Sequence, residues 1–258
     1  MTNKLTQFTI HNSLFTNFAF TLAETLIVMG IIGVVAALTL PNLNSSTGDK
    51  EKVAKVKKIY QNLNDAFGRA QAVYGPLDEW FKNDNDYASQ STRFANRMTE
   101  FMKISKNCGT STGCFKTIGN ISRPAGDTFV YPDSSYAIKF ITADGTAMML
   151  SCSALSNQLS DPPCDILVDI EGPNKGARKL GSDIFHFQAH SEGGVFPDFY
   201  YDGDNKPNPM YTECFDTGDS CAAWIIDFGN MDYLKVGTDG KCPDGKTILN
   251  GTTNTTCK

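Results

Sequence analysis

Residues 19–43, AFTLAETLIVMGIIGVVAALTLPNL, form a long apolar stretch that decides how the rest of the 258-residue chain is interpreted. As a helix, residues 20–40 would extend about 31 Å at about 1.5 Å per residue, matching a hydrocarbon core of about 30 Å. Pro41 follows, where a proline ends or bends a helix. Glu24 lies near the start of the run, although a charged side chain costs about 2.5–3.5 kcal/mol or more at the bilayer centre. The position of this carboxylate therefore needs a physical explanation.

Two common interpretations of an N-terminal apolar segment explain only part of this stretch. A secretory signal peptide has a basic start, an apolar core and small residues at a cleavage site. Ala36 and Ala37 would serve loosely as that site. However, Lys4 is the one lysine or arginine before the apolar core, and Glu24 places a charge near the start of that core. A plain transmembrane anchor fits the length and leaves Glu24 unexplained.

The residues FTLAETLIVMGIIGVVAALTLP, with Ala19 before them, resemble the N-terminus of type IV prepilins and of type II secretion pseudopilins. In that family a prepilin peptidase cuts before the apolar run and methylates the new terminal amine. The resemblance places cleavage between Ala19 and Phe20 and N-methylation on Phe20. It also makes Glu24 the glutamate five residues into the mature chain and Pro41 the helix-bending proline. Ala19 stands where the family usually has glycine.

The resemblance supplies a reason for Glu24. In a filament the N-terminal helices bundle, and the Glu24 carboxylate would neutralise the Phe20 amine of a neighbouring subunit. Pairing lowers the cost of burying both charges, whereas one unpaired buried charge is strongly unfavourable. Glu24 would therefore fix the register of assembly. The alternative is that Glu24 reaches the lipid head groups from the helix end.

The eight cysteines indicate an oxidising compartment. All of them follow the apolar segment, an even number without the CxxC pairs or Cys/His arrays of zinc sites. Eight cysteines allow about a hundred pairings, and neighbours in sequence are the economical choice because CGTSTGC and CFDTGDSC each close a short loop. The predicted disulfides are Cys108–Cys114, Cys152–Cys164, Cys214–Cys221 and Cys242–Cys257.

The charge distribution restricts partners and orientation. With 23 basic and 28 acidic residues the chain is mildly acidic, which argues against a nucleic-acid-binding surface. Lysines are concentrated after the apolar segment, in DKEKVAKVKKIY, and the positive-inside bias alone would place that side in the cytoplasm. The cysteines indicate the opposite orientation. We favour the cysteines because Asp49 and Glu51 lie among the lysines.

The remaining sequence predicts two further helical segments. Over residues 49–74 apolar residues recur at intervals of three and four, which is typical of an amphipathic helix with one apolar stripe: Val53, Val56, Tyr60, Leu63, Phe67, Ala70 and Tyr74. The segment NLNSSTGDK, residues 42–50, is interpreted as a polar break with capping residues. A second helix is predicted at residues 92–106, with Phe94, Met98, Phe101 and Met102 inward.

After Cys108 the pattern changes to short strands and turns. YAIKFITADGTAMMLSC predicts a hairpin turned at ADGT, and DILVDI and DIFHFQAH predict strands on either side of a glycine-rich connection. CAAWIIDFGNMDYLKV is interpreted as another hairpin, turned at GN. This segment is similar to the C-terminal hairpin of some pseudopilin-like proteins. The segment DIEGPNKGARKLGSDIFHF is also similar to a segment of such proteins. Predicted helices followed along the chain by predicted antiparallel strands indicate an α+β fold.

No motif for hydrolysis, nucleotide binding or zinc catalysis is present. His186 and His190 share a face if DIFHFQAH is a strand, and they are interpreted as surface residues, with metal ligation as the alternative. The segment DFYYDGDNKPNP supplies oxygen ligands of the kind calcium uses, at Asp198, Asp202, Asp204 and Asn205. The favoured interpretation of these residues is solvated turns, so calcium stays an alternative and no other cofactor is expected.

The predicted organisation is a leader at residues 1–19, a transmembrane and filament-core helix at 20–41, an amphipathic helix at 42–75 and a disulfide-rich head at 76–258. The expected fold is pilin-like α+β, with the long helix packed on an antiparallel sheet. The resemblance implies a structural subunit of a type IV pilus-like or type II secretion pseudopilus filament, not an enzyme. Its partners would be prepilin peptidase, other pilins or pseudopilins, and inner-membrane lipid before assembly, with the head periplasmic and the filament periplasmic or at the cell surface.

Two alternatives stay open. The first is a minor pilin or tip module whose head binds a surface, a secreted substrate or DNA. The second is a membrane-anchored envelope enzyme that shares the N-terminal motif; an uncut N-terminus would favour it.

Overall fold

A computed structural model describes residues 22–81, 86–115, 121–129, 135–152, 164–190, 193–198 and 210–257, and of residues 36–47 the backbone alone. The chain divides into two compact units, Met1–Thr47 and Gly48–Lys258. The leader and the predicted cleavage site at Ala19 and Phe20 lie outside the described residues. The second unit contains the head.

The long helix α1 spans Leu22–Tyr74. Residues 42–50 therefore do not interrupt the helix, and the predicted break there is wrong. Asn, Ser and Thr disfavour a helix by only a fraction of a kcal/mol each, which is too little to terminate it between two helix-forming segments. In the second unit the predicted stripe is confirmed. Val56, Leu63, Phe67 and Ala70 are buried, and Val53, Tyr60 and Tyr74 pack partly buried against the same core.

Two short helices follow α1, and the second begins earlier than predicted. Helix α2 spans Leu77–Trp80 and helix α3 spans Tyr87–Thr99. The side chain of Asp86 accepts a hydrogen bond from the Ser89 amide at 2.9 Å, so this residue caps α3 at its N-terminus. The inward positions Phe94 and Met98 are buried as predicted. Residues 104–106, predicted as the end of this helix, begin a strand instead because they pair with the sheet edge.

The head contains an antiparallel six-stranded sheet, which confirms the α+β prediction. Its spatial order is β1-β4-β5-β6-β7-β8, so from β4 onwards each strand neighbours the next in sequence. The strands are β1 Ile104–Gly109, β4 Ile138–Thr142, β5 Ala147–Cys152, β6 Cys164–Asp169, β7 Ile184–His190 and β8 Gly194–Pro197. A separate pair joins β2 Ile121–Ser122 to β3 Thr128–Phe129. The predicted β4–β5 hairpin and the strands β6 and β7 are confirmed.

One face of the sheet packs on α1 and forms the main core. Side chains alternate along a strand, so Phe185, Phe187 and Ala189 of β7 point to this face. The rings of Tyr60 and Phe187 stack with centroids 6.1 Å apart. The opposite face is covered by a smaller cluster: Phe115, Ile121, Ala137, Ala147, Met149, Leu167, Leu180 and Ile184. The sheet is therefore covered on both faces.

Asn64 of α1 pairs with the backbone of the edge strand β8. Its Nδ2 donates to the Val195 carbonyl at 2.9 Å, and its Oδ1 accepts from the Val195 amide at 3.0 Å. Both backbone groups are thereby satisfied by one side chain, which is the treatment an exposed strand edge requires. This contact fixes α1 along the sheet.

The segment 221–236 is helical, so the predicted hairpin there is wrong. Helix α4 spans Glu213–Asp216, helix α5 spans Cys221–Phe228, and a 3-10 helix spans Asp232–Lys235. Gly229, read as part of a hairpin turn, adopts φ 67° and ends α5. The Trp224 ring lies among four other aromatic rings: Tyr211, Phe215, Phe228 and Tyr233. A short apolar run has neither a helical nor a strand period, so its sequence does not distinguish a helix from a strand.

The prediction of four disulfides is confirmed. The structure joins Cys108 to Cys114, Cys152 to Cys164, Cys214 to Cys221, and Cys242 to Cys257. These are the pairs of sequence neighbours. The second links adjacent strands β5 and β6, and the fourth ties the C-terminal segment to an earlier turn. All eight cysteines are paired.

The glycine-rich connection between β6 and β7 is organised around the Asp183 carboxylate. Its two oxygens accept hydrogen bonds from the amides of Arg178 at 2.8 Å and Lys179 at 2.7 Å. Gly176 adopts φ 79°, and a Cβ on it would lie 2.1 Å from Asp183 Oδ2. The turn therefore needs a glycine both for its left-handed backbone and for the close approach of the carboxylate.

We expect Gly176→Ala to lower the free energy of unfolding by roughly 3 kcal/mol. Left-handed strain accounts for about 1–2 kcal/mol of this loss, and a lost hydrogen bond to a charged group accounts for most of the rest. Gly145→Ala is the matched control, because Gly145 has φ 85° but no atom within 4 Å of the added Cβ. Urea unfolding of both variants measures the difference; equal losses would show that the Asp183 contact does not stabilise the turn.

Candidate functional site

The first unit contains the residues to which the family resemblance assigns assembly. Glu24 lies in the first turn of α1 and is exposed. The side chain of Pro41 lies outside the described residues, as do Ala19 and Phe20. Within the described part of the chain, no helix combines the length and the apolar character needed to cross a bilayer.

Exposed apolar side chains surround the start of α1. Large apolar residues more than half exposed are Leu22, Leu26, Ile27, Val28, Met29, Ile31, Ile32, Val34 and Val35. Four of them, residues 26–29, are consecutive, and successive residues of a helix point about 100° apart. Apolar surface therefore faces every direction around the axis. A helix that is apolar all round is covered by other protein or by lipid in its working state.

In the described part of the head, a group of ionisable side chains lies on the sheet face away from α1. His186 occupies the middle of β7, on the same face as His190, as the alternation predicted. Three carboxylates approach its ring: those of Asp165, Asp198 and Asp219. We call His186 and these three aspartates the His186 cluster.

The cluster is compact and largely buried, so the interpretation of His186 as a surface residue is wrong. His186 Nδ1 lies 2.8 Å from an oxygen of Asp198 and 3.6 Å from an oxygen of Asp219, and Nε2 lies 3.2 Å from Asp165 Oδ1. The side chains of His186, Asp198 and Asp219 are 9%, 10% and 13% exposed. Carboxylates thus face both ring nitrogens.

The backbone holds each member of the His186 cluster in place. Asp198 directly follows β8, and its amide donates to the His186 carbonyl at 3.1 Å. Asp165 lies on the neighbouring strand β6, where Gln188 Nε2 donates to Asp165 Oδ1 at 3.3 Å. Asp219 lies in the loop closed by the Cys214–Cys221 disulfide. Three separate chain segments therefore converge on one imidazole.

His190 lies near the cluster and differs from His186 in its surroundings. Burial disfavours its imidazolium form and lowers the pKa of His190, although the negative charges of Asp198 and Asp165 act in the opposite direction. Its ring contacts Phe196 edge to face, with centroids 5.8 Å apart. His190 is not among the residues whose ligand atoms converge.

The structure brings together only part of the predicted oxygen-ligand site. Asp198 is a member of the His186 cluster, whereas Asp202, Asp204 and Asn205 lie outside the described residues. Sequence reasoning missed Asp165 and Asp219. In the sequence, Asp165 is the first residue of the predicted strand DILVDI, and Asp219 is a turn residue between two cysteines. Neither position indicates a contact with His186.

A second polar feature is a groove of about 400 Å³ beside α1 in the head. It is lined by α1, by the segment after α3 and by the β4–β5 turn, and Arg69 lies over the Phe101 ring at 5.0 Å. Burial alone would raise the pKa of Asp144 in that turn, but hydrogen bonds from Thr142 and Thr146 outweigh it and hold the pKa below its ordinary value. Acidic and basic side chains both line the groove, so its charge selects no class of ligand.

Comparison of the chain with protein-family models, with curated proteins and with solved structures yields no match in any of the three.

Proposed function

We propose that this protein is a structural subunit of a type IV pilus-like or type II secretion pseudopilus filament. Cleavage by prepilin peptidase between Ala19 and Phe20, with methylation of Phe20, would generate the mature chain. Before assembly the N-terminal helix would hold the chain in the inner membrane, with its head in the periplasm. After assembly the same helix would form the filament core.

The observation that carries the proposal is the all-round apolar surface at the start of α1. Nine large apolar side chains of residues 22–35 are more than half exposed. Each fully buried side chain of this kind contributes about 1.5–3 kcal/mol relative to water, so the segment strongly favours a non-aqueous environment. Lipid supplies that environment to a single chain, and neighbouring copies of the helix supply it in a bundle.

Glu24 favours the bundle over lipid as the final environment. A carboxylate is costly in hydrocarbon, but in a bundle it would meet the Phe20 amine of the next subunit. The Glu24 charge therefore raises the free energy of a single chain in lipid relative to that of the assembled bundle. Simple membrane anchoring offers no comparable use for an acidic residue in the first turn of an apolar helix.

The head suits an extracytoplasmic location. It is linked by four disulfides, which form and persist outside the reducing cytosol. The amphipathic part of α1 packs on the sheet through buried residues such as Leu63 and Phe67, so the helix and the head form one unit from Gly48 onwards. A disulfide-linked head that follows an apolar helical segment in the chain supports the proposal of a subunit that assembles through that segment.

Filament assembly is tested by expressing the full chain with and without an active prepilin peptidase, then shearing the cells and collecting filaments. The proposal predicts the chain in the sheared fraction only when the peptidase is active. Retention of the chain in the membrane fraction under both conditions would contradict it and would favour the membrane-anchored enzyme.

A further inference from the structure

We propose that the head binds one zinc ion through His186 Nδ1 and the carboxylates of Asp198 and Asp219. This inference rests on the head alone and is independent of filament assembly. The ligand atoms of these three side chains all lie within 4.8 Å of one another. They come from β7, from the residue after β8 and from the loop before α5, so the site would join three segments of the head.

The distances fit a small tetrahedral ion. Nitrogen and oxygen ligands lie about 2.0–2.2 Å from zinc, which places neighbouring ligands of a tetrahedron roughly 3.3 Å apart. The separations of 2.8 Å and 3.6 Å from His186 Nδ1 to the two carboxylates lie on either side of that value. The two carboxylate oxygens lie within 4.8 Å of each other, and the three donors would approach a tetrahedral arrangement when an ion binds.

Hydrogen bonding accounts for the contacts of His186 with Asp198 and Asp165 but not for the approach of Asp219. A protonated Nδ1 has one hydrogen, which the Asp198 oxygen at 2.8 Å would accept. The Asp219 oxygen at 3.6 Å is too far to share it. A cation would bind both carboxylates and the nitrogen lone pair at once, so it accounts for the approach of Asp219 as well as that of Asp198.

Asp165 lies where a metal-bound histidine has its second partner. A ligating histidine nearly always donates its other ring N–H to a carboxylate, a carbonyl or water, which fixes the tautomer that leaves the ligating nitrogen free. Here Nε2 faces Asp165 Oδ1 at 3.2 Å, and Gln188 holds that carboxylate from the same strand as His186. Asp165 is therefore a positioning residue that would direct Nδ1 towards the ion.

Three protein ligands leave one position of a tetrahedral zinc site for water.

The donor set selects zinc over calcium. Calcium takes six to eight oxygen ligands at 2.3–2.6 Å, whereas this site offers one imidazole nitrogen and two carboxylates in close proximity. Imidazole suits zinc and the neighbouring transition metals, and three protein ligands are typical of zinc sites that keep an open position.

The test is calorimetric titration of the untagged full chain in detergent, with its disulfides intact and after removal of metal by EDTA. Zinc chloride and calcium chloride are titrated separately. We expect one zinc per chain. Asp219→Asn and His186→Gln should weaken zinc binding more than tenfold, and Asp165→Asn by about 10- to 100-fold. His190→Gln is the matched control on the same face of β7 and should leave affinity unchanged.

Circular dichroism of each variant separates lost binding from lost folding, and Asp219→Asn changes a residue of the Cys214–Cys221 loop and not of the sheet. Zinc that stabilises the wild type but not Asp219→Asn in thermal unfolding would support the site by a second readout. Three results would overturn it: no zinc bound by the folded wild type, equal affinity in wild type and Asp219→Asn, or calcium bound in preference to zinc.

Discussion

Glu24→Leu is expected to leave the chain processed and held in the membrane but to reduce its incorporation into filaments by about a hundredfold or more. The substitution makes the apolar segment of α1 more favourable in lipid and removes the partner of the Phe20 amine. An uncompensated buried charge costs about 3–5 kcal/mol, and each 1.4 kcal/mol changes an equilibrium tenfold. The ratio of sheared to membrane-bound protein measures the effect.

Two control substitutions separate charge pairing from other effects. Glu24→Gln keeps the size and polarity of the side chain but removes its charge, so incorporation should fall nearly as far as with leucine. Glu51→Leu removes a carboxylate from an exposed position of the same helix in the head and should leave incorporation unchanged. Normal filaments from Glu24→Leu would show that assembly does not use the charge pair.

Trp80→Ala is expected to cause the largest loss of head stability, about 5 kcal/mol and thus a fall in Tm of roughly 10 °C or more. Trp80 is fully buried, and its ring lies 5.8 Å from that of Phe67 on α1 and 6.1 Å from that of Phe94 on α3. Its indole N–H donates to the Gly75 carbonyl at 2.8 Å, and the Arg97 guanidinium lies 5.0 Å above the ring. Truncation would leave a cavity where both helices meet.

Thermal unfolding of the disulfide-bonded chain measures this loss. Trp80→Phe should recover much of the stability because it refills the cavity, although it still lacks the hydrogen bond to Gly75. Val73→Ala, on an exposed side chain of α1, should change stability by no more than about 0.5 kcal/mol. A loss for Trp80→Ala no larger than that of Val73→Ala would show that this cluster does not hold α1 to the head.

The elements with a regular pattern could be predicted from the sequence. The stripe from Val53 to Tyr74 follows the helical period without interruption, and the β4–β5 hairpin is marked by its ADGT turn. The disulfide pairs follow sequence proximity because each closes a short loop. In these places local sequence and tertiary contacts favour the same structure.

Where tertiary contacts decided the structure, the sequence was ambiguous. Residues 104–106 follow a helical pattern but pair with β4, because hydrogen bonds at the sheet edge outweigh weak local preferences. In α5, residues from Cys221 to Ile225 are all buried, so no alternation of polar and apolar residues distinguishes helix from strand.

In the His186 cluster, the sequence pattern predicted one neighbour relation and none of the contacts with aspartates. The two-residue period of a strand places His186 and His190 on one face, and that much was predicted. The partners of His186 come from β6, from the end of β8 and from the loop before α5, and their approach depends on strand order and on the Cys214–Cys221 disulfide. None of these long-range contacts is encoded in a local pattern.

The most direct test of the filament proposal is the intact mass of the protein from its native membrane, combined with mapping of its N-terminal peptide. The account predicts a chain that begins at N-methylated Phe20 and lacks the eight cysteine protons released by four disulfides. A chain that still carries the residues before Phe20, with free thiols, would contradict both the processing and the compartment.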